Sequence, residues 1–436
     1  MFVKYIRCFS WNISLIMVNY LHERRDSMKI YDDLVYRGLI KDISSKDLID
    51  KLNNESITFY IGTDPTGDSM HIGHFSSFLI AKRLKDAGHN PILLVGGATG
   101  QVGDPKQTSE RDMITKEKVL HNVLSLSKQA KDIFGFEVVN NFDWCKDINF
   151  IDFLRDYGNY FSVNYMLDKD TVRKRLETGI SYKEFSYMIM QALDFEYLYK
   201  NRNCILQVAG SDQWGNITAG IDLIRKKNSF EAYGFTMPLI VDKNGNKFGK
   251  TEGNALWLDI NKTSAYEMYQ FLINSDDSLV IDYLKKLTFL SKEEIEEIEV
   301  IHKEAPEKRI AQIRLCKEVI TFLHGEEEFN KAKKISACLF NDDIYKLSGD
   351  DILNALSGVT KVNLEDKDID IATLLVDNNI CSSKREAREF ILAGAISINN
   401  KKISIVDAIV CKSDAIDKKY LLIKKGKKNY YLGIYN

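Results

Sequence analysis

The sequence predicts an α/β protein in which a domain of strands and helices is followed by an α-helical domain and a small α+β domain. A β-branched run at 57–63 leads through a turn into a helical pattern that closes at Gly88, which is a βα unit. Residues 262–340 place apolar and charged side chains at helical spacing. Residues 373–405 read as two short helices and then as strand alternation broken by an Asn-Asn turn.

The first 27 residues stand apart from this plan. Lys4 and Arg7 interrupt the apolar stretch at 2–21 and no small-residue cleavage site follows it, which disfavours a secretory signal. No stretch reaches the roughly 18 uninterrupted apolar residues of a membrane span. The basic, acid-free start leaves an organelle transit peptide open, but we favour a non-native extension ahead of Met28 and expect a cytoplasmic protein.

Composition narrows the classes of protein. The 60 Lys and Arg residues against 62 Asp and Glu residues exclude a uniformly basic nucleic-acid binder. Seven cysteines without a C-x-x-C pair argue against a disulfide framework and a structural zinc site, so we expect a reduced compartment and no protein metal site. Residues 371–436 nevertheless hold 12 Lys and Arg against 6 Asp and Glu, so the basic character is confined to one end.

Two histidines mark the first candidate site. His71 and His74 are three positions apart at the start of the predicted helix, where their rings would share one face beside unpaired backbone amides. A helix N-terminus attracts anions, and two imidazoles can stabilise charge that develops on a phosphoryl group. Two core or solvent-exposed histidines are the ordinary interpretation, but only seven His occur in 436 residues and two of them bracket Gly73.

These residues carry a family resemblance. The sequence HIGH at 71–74 matches the first signature of class I aminoacyl-tRNA synthetases, and KFGKT at 247–251 is similar to the second, the KMSKS loop. Either tetrad alone is a weak signal, whereas both in this order are specific. The chain from Lys29 to the C-terminus resembles bacterial-type tyrosyl-tRNA synthetase.

The resemblance also implies a domain plan. It implies a Rossmann-like parallel-sheet catalytic domain, an α-helical anticodon-recognition domain and a small α+β S4-like RNA-binding domain, in a homodimer. A segment rich in Asp and Gly before the last domain reads as a linker. The predicted divisions are an extension at 1–27, the catalytic domain at 28–246 with dimerisation at about 145–200, the KFGKT loop and helical domain at 247–340, the linker at 341–369 and the S4-like domain at 370–436.

Tyrosine recognition is assigned by motif match. In the family a Tyr and an Asp hydrogen-bond the substrate phenol, and these match Tyr60 and Asp194. A site built to pair a hydroxyl leaves buried polar groups unpaired when phenylalanine enters. The helical spacing places Tyr187, Gln191 and Asp194 on one face. The resemblance assigns Tyr187, Gln191 and Asp104 to the substrate ammonium group, although Tyr187 alone could equally be half-buried core.

The remaining assignments follow the same resemblance. The segment AGSDQ at 209–213 would hold adenosine and the tyrosine carboxyl group, with Gly210 and Asp212 facing ribose and base and Gln213 facing the carbonyl. Ala209 stands where relatives carry a second Gly. The ATP side is further lined by three residues near the first signature, which are Asp64, Thr66 and Gly73.

The implied reaction has two steps. The tyrosine carboxylate attacks the α-phosphorus of ATP, and the tRNA(Tyr) 3′-terminal ribose then attacks the adenylate. The first step needs no general base, because a carboxylate is ionised at neutral pH. His71 and His74 would act at the α-phosphate, and Mg²⁺ would share the phosphate charge. The KFGKT residues Lys247, Lys250 and Thr251 would act on the leaving pyrophosphate.

The basic end is the candidate RNA surface. Lys384, Arg385 and Arg388 cluster on a predicted helix that a Ser383 and Glu386 capping box would open. Binding through phosphate neutralisation should fall steeply with salt. A charged helix face without a ligand is the alternative interpretation.

Three other functions stay open. A tryptophanyl-tRNA synthetase shares both signatures, but Tyr60, Asp194 and the S4-like end argue against it. A synthetase-derived RNA-binding protein without chemistry is disfavoured by intact signatures. Another α/β nucleotidyltransferase would need only the first signature, so the second signature and the tRNA-type domains argue against it.

Overall fold

The computed structural model describes residues 28–105, 114–251, 254–340, 346–356, 359–426 and 429–435. The predicted extension at 1–27 lies outside the described residues. Contacts divide the chain into two compact units. The first unit runs to Ser69 and resumes over Gly73–Ile240, and the second contains Met70–Ile72 and everything from Val241 onward. The HIGH signature is therefore divided between the two units.

The first unit is built on a six-stranded sheet. The spatial order of its strands is β1-β6-β5-β2-β3-β4, and every neighbouring pair is parallel except β1 with β6. The strands are β1 Asp42–Ile43, β2 Thr58–Thr63, β3 Asn90–Val95, β4 Glu137–Asn140, β5 Cys204–Gly210 and β6 Tyr233–Met237. The predicted parallel-sheet α/β domain is confirmed.

Helices connect these strands. Those before β4 are α1 Ile30–Tyr36, α2 Asp47–Asn54, α3 Ile72–Asp86, α4 Thr99–Val102 and α5 Lys116–Gln129. Those after β4 are α6 Phe142–Cys145, α7 Phe150–Asp156, α8 Val163–Leu167, α9 Asp170–Leu176, α10 Tyr182–Phe185, α11 Tyr187–Arg202 and α12 Trp214–Asn228.

Strand order places the ligand crevice. From the central strand β2 the chain moves outward to β3 and β4, and then returns to β5 on the other side of β2. This reversal is a topological switch point, and in open α/β sheets ligands bind beyond the carboxyl ends of the strands there. Phe59, Tyr60 and Ile61 of β2 are all buried, so the strand that reaches the crevice is anchored in the core.

The second unit begins with a two-stranded hairpin and a set of helices. The hairpin pairs β7 Lys250–Thr251 with β8 Asn254–Ala255. Reciprocal capping boxes open two of the helices, through Ser264 with Glu267 and Ser291 with Glu294. The helices are α13 Ala265–Ile273, α14 Val280–Leu287, α15 Lys292–Glu304, α16 Ile310–His324 and α17 Glu326–Phe340.

The chain ends in a small α+β domain, as predicted. Its five-stranded sheet has the order β12-β11-β14-β15-β9, with a separate β10 and β13 pair. The elements are α18 Gly349–Ala355, β9 Thr360–Leu364, β10 Ile369–Asp370, α19 Ile371–Asp377, α20 Lys384–Leu392, β11 Ile396–Ile398, β12 Lys401–Ile403, β13 Ile409–Val410, β14 Tyr420–Lys425 and β15 Asn429–Tyr435.

Part of the predicted linker at 341–369 is folded. Helix α18 lies inside it, and β9 pairs in parallel with β15, from Thr360 opposite Tyr431 to Leu364 opposite Tyr435. Residues 341–345 and 357–358 of the segment lie outside the described residues. The C-terminal sheet therefore begins within the segment that composition marks as a linker.

The predicted turn between β11 and β12 is confirmed. Asn399 and Asn400 have positive φ values of 46° and 66°, as the two-residue hairpin loop requires. The predicted capping box of α20 is only half formed, since Ser383 accepts from the Glu386 amide while the Glu386 carboxylate bonds Ser382 instead. Within the described ranges we find no helix whose length and apolar character would let it cross a lipid bilayer.

Candidate active site

Tyr60 and Asp194 form the deepest part of the candidate site. Each is about 1% exposed, Tyr60 in the middle of β2 and Asp194 on α11. Burial and the nearby Asp194 charge raise the pKa of Tyr60 well above its usual value. The Tyr60 hydroxyl has no hydrogen-bond partner among the described residues. A buried, unpaired hydroxyl is costly, so its presence beside a carboxylate points to a polar ligand group.

Three donors hold the Asp194 carboxylate. Asn141 Nδ2 donates to Oδ2 at 2.9 Å, and Trp144 Nε1 donates to Oδ1 at 2.9 Å. The Cys145 thiol lies 3.9 Å from Oδ1. Burial raises the pKa of Asp194 to about 7 even though the hydrogen bonds from Asn141 and Trp144 act to lower it. The hydrogen bonds from Asn141 and Trp144 fix the orientation of the Asp194 carboxylate.

A second group of polar residues lies beside this pair, with Asn216 at its centre. Asn216 Nδ2 lies 3.1 Å from Gln191 Oε1, 2.8 Å from Gln213 Oε1 and 3.4 Å from Asp104 Oδ1. Gln213 Nε2 in turn donates to Asp104 Oδ2 at 2.8 Å. The structure thus brings together Asp104 and Gln191, which the resemblance assigned to the substrate ammonium group, and Gln213, which it assigned to the carbonyl.

Tyr187 is joined to this region through Asp64. Its hydroxyl donates to Asp64 Oδ2 at 3.1 Å, and Thr99 Oγ1 donates to Asp64 Oδ1 at 2.8 Å. Asn141 Nδ2 reaches Thr99 Oγ1 at 3.0 Å, so a continuous polar chain runs from Tyr187 to Asp194. Burial and the charges of Asp64 and Asp104 raise the pKa of Tyr187 well above its usual value. Tyr187 is buried, and its hydroxyl takes part in a polar network.

Asp64 therefore accepts hydrogen bonds from Tyr187 and Thr99, which the sequence did not indicate. It was predicted on the ATP side with Thr66, and the backbone amide of Thr66 donates to the Asp64 carbonyl at 2.8 Å. The glycine-rich turn makes room for Asp64, because a Cβ on Gly96 would lie 2.3 Å from Asp64 Oδ1. The roles of Asp64 and Thr66 toward ATP stay predictions.

The segment after β5 is compact. Ser211–Gln213 form one 3-10 turn between β5 and α12, which sets Gly210, Asp212 and Gln213 around a single bend. A Cβ on Gly210 would lie 2.7 Å from Asp212 Oδ1, so a side chain at 210 would displace that carboxylate. The assignment of Gly210 and Asp212 to adenosine stays a prediction.

The two signature histidines have different surroundings. His74 lies in the first turn of α3, and its ring stacks on Phe78 with centroids 6.1 Å apart. His71 precedes the helix and forms an antiparallel bridge with Trp257 in the second unit. The helix begins at Ile72, whose amide donates to the Leu256 carbonyl at 2.9 Å, so His71 lies just before the helix. That the two rings share one face stays a prediction.

The second signature lies in the hairpin region of the second unit. Lys247 is exposed and its backbone bridges Val241, while Phe248 is buried against Phe271 and Tyr283. Lys250 and Thr251 form β7, and their side chains lie outside the described part. Their predicted catalytic roles are not tested by these contacts.

The candidate RNA residues share one exposed surface. Lys384, Arg385 and Arg388 are exposed on α20, while Ala387 and Ile391 of the same helix are buried. Arg385 is paired with Glu389, with 3.1 Å between Nε and Oε1.

Sequence reasoning missed several residues of the site. Asn216 lies only three positions after Gln213, in the segment that follows β5, so its closeness in sequence to a predicted site residue could have identified it. Asn141, Trp144 and Thr99 act through contacts 35 to 53 positions distant in sequence, so no local pattern marks them. In the described residues we find no group of three or more His, Cys, Asp or Glu arranged to hold a metal ion.

The parallel sheet and the signatures define a class I aminoacyl-tRNA synthetase. Residues 52–341 match the family model of class I tRNA synthetases (W and Y), and residues 351–433 match the tyrosine-tRNA ligase SYY-like C-terminal domain. The chain belongs to the tyrosine-tRNA ligase family of aminoacyl-tRNA synthetases.

Similar proteins agree with this assignment. A tyrosine-tRNA ligase of Limosilactobacillus reuteri is 48% identical over 93% of this chain and 99% of its own length. A tyrosine-tRNA ligase of Listeria welshimeri is 46% identical over 94% of this chain and 100% of its own. The crystal structure of a C-terminally truncated mitochondrial tyrosyl-tRNA synthetase of Aspergillus nidulans has a TM-score of 0.65 at 32% identity, and the match covers 73% of this chain and 96% of that one. The family prediction is confirmed.

Proposed function

We propose a division of roles among the described residues for the reaction of a tyrosine-tRNA ligase. That reaction activates L-tyrosine with ATP to tyrosyl-adenylate and pyrophosphate, and then transfers the tyrosyl group to the 3′ end of tRNA(Tyr). The observation that carries the substrate choice is the buried, unpartnered Tyr60 hydroxyl beside the fixed Asp194 carboxylate. This pair suits a phenol, which donates one hydrogen bond and accepts another.

Phenol recognition follows from the two environments. The substrate O–H donates to Asp194, and the Tyr60 hydroxyl donates to the substrate oxygen. Phenylalanine would leave the Tyr60 hydroxyl buried without a partner, which costs on the order of 1–3 kcal/mol, and would give Asp194 no hydrogen bond beyond those from Asn141 and Trp144. A bound tryptophan would place its indole N–H away from the position that the phenol oxygen of tyrosine occupies. The pair therefore supports tyrosine over both competitors.

The neighbouring polar group suits the amino-acid end of the substrate. Asp104, Tyr187 and Gln191 supply a carboxylate, a hydroxyl and an amide oxygen, all of which can accept from an ammonium group. Gln213 has an amide N–H that can donate to the substrate carboxyl group. Asn216 holds three of these four side chains together. An ammonium would replace part of that internal pairing when tyrosine binds.

The phosphate chemistry is assigned to the signatures. His71 and His74 stabilise negative charge at the α-phosphate, and the KFGKT residues Lys247, Lys250 and Thr251 act on the departing pyrophosphate. ATP enters as its Mg²⁺ complex, since Mg²⁺ commonly reaches proteins through substrate phosphates and retained waters. The adenosine side is assigned to Asp64, Thr66, Gly73, Gly210 and Asp212.

The tRNA and the partner subunit are assigned to other surfaces. The exposed basic residues of α20 support contact with tRNA phosphates. Residues 145–200 carry exposed apolar side chains, among them Phe150 and Ile151 at 65% and Val163 at 59%. Apolar side chains that stay exposed together support a protein interface, here a homodimer. A cytoplasmic location remains part of this proposal.

The test is aminoacylation of total tRNA with labelled tyrosine, tryptophan and phenylalanine in parallel. We expect charging with tyrosine alone and pyrophosphate exchange that depends on tyrosine. Charging with tryptophan would overturn the assignment of Tyr60 and Asp194. Binding of tRNA without any exchange would favour an RNA-binding protein that has lost its chemistry.

A further inference from the structure

A short backbone ladder in the second unit joins the segments of the two signatures. Leu258 N donates to the Met70 carbonyl at 2.8 Å, and Ile72 N donates to the Leu256 carbonyl at 2.9 Å. These two bonds flank the bridge between His71 and Trp257. The two residues are therefore a non-hydrogen-bonded antiparallel pair, the arrangement in which Cα atoms come within about 4.5 Å and side chains lie closest.

The two side chains of this pair meet. The ring centroids of His71 and Trp257 are 6.3 Å apart with an interplanar angle of 56°. Tilted rings with centroids about 4.5 to 7 Å apart attract one another beyond the burial of their surface. The imidazole of the first signature thus has an aromatic neighbour within interaction distance.

Trp257 is itself held in place. Its backbone N–H donates to Thr263 Oγ1 at 2.9 Å, and the Lys262 ammonium lies 5.4 Å from the centroid of the indole. A cation within about 6 Å of an indole face is attracted by the ring. The indole is fixed both through its main chain and at its ring, as a group that positions another must be.

The ladder also reaches the second signature. Leu256 N donates to the Gly249 carbonyl at 3.0 Å. Gly249 has a φ of 82°, and a Cβ at this position would lie 1.8 Å from Ile72 Cγ2. Glycine therefore lets the KFGKT backbone lie directly against the residue that follows His71. Trp257 stands on the strand-like segment between these contacts.

We propose that Trp257 is a positioning residue for tyrosine activation, whose indole holds the His71 imidazole in the orientation that adenylate formation requires. The inference rests on the role of His71 given under the proposed function. A misoriented catalytic group lowers the rate of the chemical step without weakening the binding of a substrate that it does not touch. Loss of the indole should therefore slow tyrosyl-adenylate formation and leave tyrosine affinity unchanged.

The test is a double-mutant cycle on single-turnover formation of tyrosyl-adenylate by the full chain. Trp257→Leu removes the ring and keeps apolar bulk, and Trp257→Phe keeps an aromatic ring. We expect Trp257→Leu to lower the rate about 3- to 10-fold and Trp257→Phe to stay within about twofold of the unmodified protein. In a His71→Ala background Trp257→Leu should have no further effect, because two residues that act as a unit are not additive.

The controls separate the possible failures. Phe289→Leu removes another aromatic pair of the second unit, with Phe322 at 5.8 Å, and should leave the rate unchanged. An equal effect of Trp257→Leu in both backgrounds would overturn the inference, since the indole would then act without His71. An unchanged rate in His71→Ala alone would instead overturn the role of His71. Unfolding temperatures are measured for every variant, and Trp257→Met replaces Trp257→Leu in the cycle if that variant does not fold.

Discussion

Asp194 must be ionised to act as a strong acceptor for a phenol, and its neighbours act on its pKa in opposite directions. Burial raises that pKa to about 7 even though the hydrogen bonds from Asn141 and Trp144 act to lower it. Asn141→Ala removes one donor, so the pKa should rise further and more of the side chain should be neutral near pH 7. We expect the KM for tyrosine in pyrophosphate exchange to rise about 10-fold near pH 7.

The pH dependence distinguishes this explanation from simple misfolding. The ionised form is lost as pH falls through the raised pKa, so the KM of the variant should begin to rise at a higher pH than that of the unmodified protein. Tyrosine KM is measured between about pH 6 and pH 9. Asn159→Ala is the matched control, because Asn159 is an exposed asparagine whose side chain donates to the Arg155 carbonyl in its own segment. Identical KM profiles for Asn141→Ala and the unmodified protein would refute the prediction.

At the scale of residues, sequence reasoning identified the groups that carry a motif and missed the groups that support them. Asp194 and Tyr60 could be named because each stands in a recognisable segment. Asn141 is 53 positions from Asp194, and only the folded chain brings the two together. Trp257 faces His71 through a backbone bridge for which the sequence contains no periodic signal.

At the scale of elements, His89 connects α2, β2 and β3. It lies directly before β3, its Nδ1 accepts from the Ile57 amide at 3.3 Å, and its Nε2 contacts the Leu52 carbonyl at 3.1 Å. This pairing requires the neutral ring with the proton on Nε2, and burial lowers the pKa of His89 below its usual value. Protonation of Nδ1 would place the new N–H of His89 against the backbone N–H of Ile57.

The expected result is a loss of stability in acid. Above about pH 6.5 the ring is neutral in both folded and unfolded states, and the full stability is present. As pH falls below that value, the unfolded chain binds a proton that the folded chain resists, so stability falls. The unfolding temperature measured by circular dichroism between about pH 5 and pH 8 should decrease less in His89→Gln than in the unmodified protein. His121→Gln, at an exposed histidine of α5, should follow the unmodified protein, and equal slopes for all three would contradict the prediction.

Helix α20 allows a second prediction at this scale. Replacing Lys384, Arg385 and Arg388 with Ala removes three exposed cations without touching the buried face of the helix. We expect weaker tRNA binding and a shallower dependence of log Kd on log salt, by up to about 0.7 to 0.9 for each phosphate that the variant no longer neutralises. Filter binding at several salt concentrations measures this dependence. Lys367→Ala is the control, because it removes a lysine that lies outside α20 and is paired with Glu365. An unchanged slope would place the tRNA elsewhere.

The element that composition could not predict is β9. Its residues 360–364 sit in a stretch rich in Asp, and two of the five face inward as Val362 and Leu364. The strand exists because it pairs with β15 about 70 positions later, and that partner is invisible to a local reading of the sequence. Short strands stabilised by distant partners are where pattern reasoning fails most readily, whereas the Asn399 and Asn400 turn was predictable because its signal is local.

At the scale of the whole molecule, the sequence predicted the order of architectures and the division of charge, because both are long-range averages. The nearly balanced total of 60 basic and 62 acidic residues conceals an acidic body and a basic end. The basic end proves to be a folded α+β domain with exposed cations on one helix. The surface through which chains assemble cannot be predicted in the same way, because which apolar side chains stay exposed is decided only once the fold is formed.

The exposed side chains of α7 lead to a prediction about that assembly. Phe150 and Ile151 are each 65% exposed, in a segment where Val163 and Tyr182 are also largely exposed. If these side chains are covered by a second copy, a carboxylate in their place would be desolvated at the interface and would oppose association. We expect the double variant Phe150→Asp, Ile151→Asp to shift the molecule from two chains to one in light scattering at micromolar concentration. Val300→Asp, at a 58% exposed apolar residue of α15, is the matched control and should leave the mass unchanged. A dimer that persists in the double variant would place the interface on another surface.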